Sequence, residues 1–112
     1  MTAESFSNDS ARPLKERVID ELRTLYDPEI PVNIYDLGLI YALNVDEDEG
    51  RVEIQMTLTA PACPVAESFP PMVEEQVFTV AGVRDVKLEL VWDPPWTKAR
   101  MTEAARLALG ML

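Results

Sequence analysis

Between Pro13 and Leu25 the apolar residues Leu14, Val18, Leu22 and Leu25 recur at helical spacing, with Lys15, Glu16, Asp20, Glu21 and Arg23 filling the other faces. That stripe predicts an amphipathic helix, and Pro13 suits its first turn, where a missing N–H costs nothing. Asp27-Pro28-Glu29-Ile30-Pro31 ends the helix, because each proline pushes the residue before it out of the helical region. A turn is predicted at Asp36-Leu37-Gly38. Leu39 to Val45 is mostly apolar, and Val52, Ile54, Met56 and Leu58 alternate with Glu53, Gln55 and Thr57, so both segments predict strands. The run Asp46-Glu47-Asp48-Glu49-Gly50 between them suits a solvated hairpin loop and is too short for a calcium loop of the EF-hand type.

Past Thr59 the order Ala60-Pro61-Ala62-Cys63-Pro64 leads into a helix over Val65 to Val80, interrupted or restarted at Pro70-Pro71 and closed by Ala81-Gly82. Val86, Leu88, Leu90 and Trp92 alternate with Lys87, Glu89 and Val91 as a third strand. Trp92-Asp93-Pro94-Pro95-Trp96 then forms a stiff extended loop, and a short helix over Met101 to Leu109 follows. The order is helix-strand-strand-helix-strand-helix. A hairpin makes the first two strands antiparallel, and the strand-helix-strand unit makes the second and third parallel. The expected class is α/β of the α+β kind: a small mixed sheet of three to four strands with helices packed on it. Residues 1–12 are expected as a flexible tail and 13–112 as one domain. So low a strand count leaves an edge that is exposed or used in a dimer.

Composition narrows the chemistry. With 112 residues, 10 basic and 20 acidic, the net charge is -10. Such a surface repels phosphate backbones and anionic lipids, so neither a nucleic acid nor a membrane is an expected partner. No apolar run approaches the length of a membrane span, and the start lacks the features of a secretory leader. The chain has no His, which closes the Ser-His-Asp triad, the Cys-His dyad and any zinc site that needs histidine. With 1 Cys it has neither an internal disulfide nor a cysteine pair, and a lone thiol suits the cytoplasm.

What remains centres on Cys63. It follows the second strand and precedes Pro64, so it is the expected N-cap of the next helix, at the strand ends where open α/β sheets bind ligands. Unpaired backbone N–H groups and the helix dipole there would lower the thiol pKa. The alternative is a buried cysteine acting as a small hydrophobe. Asp27 and Glu29, stiffened by prolines, can be presented toward the same strand ends, where they would favour a bound cation; alternatively they end the helix and make local turn hydrogen bonds. Trp92 continues the inward alternation of its strand, whereas Trp96 has no packing assignment and is a candidate partner-binding anchor.

The segments YDPEIPVNIYDLGLIY, MTLTAPACPVAE, GVRDVKLELVWDPPW and MTEAARLALGML resemble the SufT-type members of the iron-sulfur cluster assembly domain family, which includes PaaD-like proteins. Together with the preceding helix they span most of the chain. The resemblance implies a small α/β fold and an accessory role in maturing iron-sulfur proteins. It places the family's cysteine on Cys63, its acidic pair on Asp27 and Glu29, the following apolar residue on Ile30 and a hydroxyl residue on Thr59. Where many relatives carry a second hydroxyl residue and a Gly, this chain has Ala60 and Ala62.

The expected function is therefore a carrier or adaptor, not an enzyme, that helps deliver iron or an iron-sulfur cluster to client apoproteins through Cys63. Its expected partners are the assembly machinery and those clients. A cluster usually needs four ligands and each chain offers one cysteine, so a transient cluster or iron would be shared across a homodimer or with a client. The alternative is a PaaD-like partner subunit of an aromatic-ring oxygenase, many of which carry a cysteine-rich tail where this sequence stops at Leu112. An enzyme with Cys63 as nucleophile would have only carboxylates to serve as its base.

Overall fold

The computed structural model describes residues 12–27, 30–59 and 65–110, with 65–67 described by backbone alone. Of the expected tail, all but Arg12 lies outside these residues.

The first helix, α1, runs from Leu14 to Leu22 and buries Leu14, Val18 and Leu22, the predicted stripe. Pro13 precedes it without a side-chain cap. The free N–H groups at its start are met from a distance: the Glu47 carboxylate accepts from Leu14 N at 2.7 Å and Lys15 N at 3.2 Å. A carboxylate at a helix N-terminus satisfies orphan donors and complements the dipole. The acidic loop is thus a tertiary helix cap as well as a hairpin turn.

Strand β1 spans Ile40–Asp46 and pairs antiparallel with β2, Arg51–Met56. β2 pairs in parallel with β3, Asp85–Leu90, so the sheet order is β1-β2-β3. The mixed three-stranded sheet and the order of elements agree with the sequence reading. Along β2 the inward residues Val52, Ile54 and Met56 are buried while Arg51, Glu53 and Gln55 are exposed, so the helices cover one face only. Gly50 closes the hairpin at φ 71°, and a Cβ there would lie 2.3 Å from the Gly82 carbonyl oxygen. Its own carbonyl accepts from Arg84 N at 2.7 Å and Asp85 N at 3.2 Å. Only glycine lets the hairpin come this close to the entry of β3.

The crossover helix α2 covers Val65–Phe78 and passes through Pro70 and Pro71 without the expected interruption. Phe69 on one side of the pair and Val73 and Val77 on the other are buried in the core. Packing on both sides offsets the hydrogen bonds that the prolines remove. The last helix, α3, is shorter than expected, Glu103–Ala108, because Thr102 caps it by accepting from Ala105 N at 3.2 Å. Met101, the expected first residue, is instead a buried core residue just before it, after a 3-10 turn at Lys98–Arg100.

If Glu47 caps α1, Glu47→Ala should lower stability by about 1 kcal/mol. Thermal unfolding should then show a drop of about 4 °C, and Glu47→Gln, which keeps an acceptor oxygen, should lose less. Equal melting of all three proteins would show that the cap contributes nothing.

Candidate functional site

The connection from α1 to β1 is held as a frame by backbone hydrogen bonds. Ile34 N donates to Leu25 O at 2.8 Å, Leu39 N to Ile34 O at 3.2 Å and Thr57 N to Leu39 O at 2.9 Å. This chain of bonds ties the proline-rich loop to the end of β2, from which the sequence continues toward Cys63. Asn33 and Asp36 tighten the turn: Asp36 N donates to Asn33 Oδ1 at 2.8 Å, and Asn33 Nδ2 to Asp36 Oδ2 at 2.9 Å. Gly38 follows at φ 85°, where a Cβ would meet the Arg100 carbonyl oxygen at 2.3 Å. The loop is therefore locked to the C-terminal segment as well.

Asp27 is 6% exposed. Its N–H donates to Val32 O at 3.2 Å, and its Oδ2 accepts from Ile30 N at 2.8 Å. The structure thus brings Asp27 and Ile30 into direct contact and gives this carboxylate the local turn bond that its position suggested as the alternative to ligand binding. Ile30 packs half-buried against the core. Thr59 is half-buried at the other end of the same frame. Cys63 and Glu29 lie outside the described residues, so the N-cap expectation for Cys63 and the second carboxylate fall there too.

The two tryptophans exchange their expected places. Trp92 is 41% exposed, whereas Trp96 packs against the core and donates its indole N–H to Leu37 O at 2.8 Å. β3 ends at Leu90, so the inward alternation is lost before Trp92. The Asp93-Pro94 bond is cis. A register shift between Ile40 and Ala42 sets Tyr41 apart from the ladder. Its hydroxyl donates to Pro94 O at 2.8 Å, and the Arg100 guanidinium lies 4.1 Å from its ring centroid. The bulge thus serves to hold the proline segment.

One residue near the site escaped the sequence reading. Thr57 was expected on the polar face with Glu53 and Gln55, but it is completely buried, and its Oγ1 has no hydrogen-bond partner among the described residues. Strand alternation misleads here because the β2–β3 ladder ends at Met56, and the Thr57 N–H turns to Leu39 O instead. Among the described residues no group of three or more His, Cys, Asp or Glu side chains is placed to hold a metal ion, and no helix is long and apolar enough to cross a membrane.

A mixed three-stranded sheet, with the proline-rich loop tied by backbone hydrogen bonds to the end of its central strand, defines a small α+β fold. The chain belongs to the iron-sulfur cluster assembly protein family, whose model matches residues 15–90. It is 51% identical over 98 residues to a Porphyromonas gingivalis protein named Fe-S protein maturation auxiliary factor, covering 88% of this chain and 92% of that one. The Staphylococcus aureus Fe-S protein maturation auxiliary factor SufT is 40% identical over 76% of this chain and 96% of its own length. Among solved structures, a domain of unknown function from Bacillus anthracis superposes with a TM-score of 0.78 at 35% identity, covering 88% of this chain and 93% of that one.

An unpaired buried hydroxyl costs about 1–3 kcal/mol. Thr57→Val keeps the shape and removes the hydroxyl, so chemical denaturation should show unchanged or higher stability. A loss of similar size would reveal a partner for Oγ1.

Proposed function

We propose that this chain is an accessory factor in the maturation of iron-sulfur proteins and acts through Cys63 as a carrier or adaptor for iron or a cluster on its way to client apoproteins. The observation that carries this reading is that relatives matched over nearly their whole length are named as maturation auxiliary factors. More distant relatives named iron-sulfur cluster carrier protein support the carrier form. Cys63 is the only thiol, four residues beyond Thr59, and the proline-rich loop that carries Asp27 is anchored to the strand that leads to it.

Ligand supply decides the form of the cargo complex. A cluster takes about four protein ligands, and one chain offers a single cysteine, so two copies supply two and glutathione, carboxylates or the client's own thiols supply the rest. Incomplete ligation suits passage, since a fully ligated cluster would be retained. Thr59 and Ile30 line the approach to the thiol in this reading, and Asp27 and Glu29 supply negative charge that favours a bound cation. The reaction is transfer without turnover, in the cytoplasm, with assembly proteins and clients as partners.

Anaerobic reconstitution with iron and sulfide tests the carrier form. Wild type should develop visible charge-transfer absorbance and pass it to an apo-ferredoxin, and Cys63→Ala should do neither. Equal absorbance in both proteins would remove Cys63 from the site, and none in either would leave an adaptor that only brings other proteins together.

A further inference from the structure

β3 is an edge strand, and its edge has an unusual self-complementarity. Asp85 N donates to Gly50 O and Val91 N to Met56 O, so the backbone groups of 85, 87, 89 and 91 face β2. Those of Val86, Leu88 and Leu90 face outward, and no bond to their N–H groups from outside the sheet is present among the described residues. The side chains of these three are on the core side yet only half-buried, because the sheet stops there. Phe78, 53% exposed, and Val86 together line a cavity of 490 Å³ beside this edge. A long free edge with uncovered apolar side chains is a template for pairing.

We propose that the β3 edge pairs antiparallel with the β3 edge of a second copy about a two-fold axis at Leu88, extending the sheet across the dimer. Two-fold axes at Lys87, Leu88 and Glu89 all join outward-facing groups to outward-facing groups while keeping the strands overlapped, and charge chooses among them. An axis at Lys87 would set Lys87 against itself and Asp85 against Glu89. An axis at Glu89 would set Glu89 against itself. With the axis at Leu88, Lys87 of each copy lies opposite Glu89 of the other, Val86 lies opposite Leu90, and Leu88 meets its own copy. The outward N–H and C=O groups of Val86, Leu88 and Leu90 then bond to their counterparts. A lysine on an edge strand usually deters pairing; here the second copy's Glu89 neutralises it. Each copy's Phe78, beside Val86, is carried to the Leu90 end of the other copy, away from that copy's Glu74 and Glu75.

This surface deepens the proposal that a second copy contributes its cysteine to a shared cluster, and it rests on that reading only for its use. The test therefore employs metal-free protein. Light scattering over a concentration series should find wild type dimeric. Lys87→Glu and Glu89→Lys should each be monomeric, since each sets like charges across the axis. An equimolar mixture of the two variants should form heterodimers, because every 87–89 pair is then of opposite sign, and circular dichroism of each variant alone checks that it is folded. A monomeric wild type would overturn the proposal. So would homodimers of both variants, or a mixture that stays monomeric while both are folded. None of these results bears on whether Cys63 carries iron or a cluster, which the reconstitution reads separately.

Discussion

Everything in this molecule hangs on β2. It is the central strand, antiparallel to β1 on one side and parallel to β3 on the other, and its inward residues Val52, Ile54 and Met56 are at most 1% exposed. Because the outer face carries Arg51, Glu53 and Gln55, a slip of one residue would bury charge and expose the core, so the register is strongly determined. The parallel partner demands a crossover, which α2 supplies.

The loops at the two ends of β2 are fastened in different ways. At the hairpin end, Glu47 reaches α1 and Gly50 meets the turn before β3, so the acidic run stitches three elements together. At the other end, the bonds from Leu25 through Ile34 and Leu39 to Thr57 fasten the proline-rich loop, while Trp96 and Tyr41 fasten the C-terminal segment.

Much of this was legible in the sequence, for reasons that can be named. The stripe of α1 and the alternation of β2 report burial directly, and the strand-helix-strand order leaves a single plausible topology for β2 and β3. Where the reading departed from the structure, a contact distant in sequence was responsible. Glu47 read as solvated because its partner, the start of α1, lies more than thirty residues earlier. Pro70 and Pro71 read as a break because local chemistry says so, and only the burial of Phe69, Val73 and Val77 overrides it. Trp96 read as available because nothing nearby in sequence shows that Leu37 offers its carbonyl. For the site, the family resemblance supplied the residue set, while periodicity supplied only the position of Cys63 after a strand; Asp27 had two readings, and its bond to Ile30 N gives the structural one a definite form.

The central claim is that Cys63 serves the maturation of other proteins' iron-sulfur centres. The most direct measurement is made in cells that lack this chain, complemented with wild type or Cys63→Ala at matched abundance, by assaying several iron-sulfur enzymes together with the amounts of their polypeptides. The account predicts that wild type restores the activities, that Cys63→Ala leaves them low with polypeptide levels unchanged, and that enzymes without iron-sulfur centres do not respond. Full restoration by Cys63→Ala would contradict it.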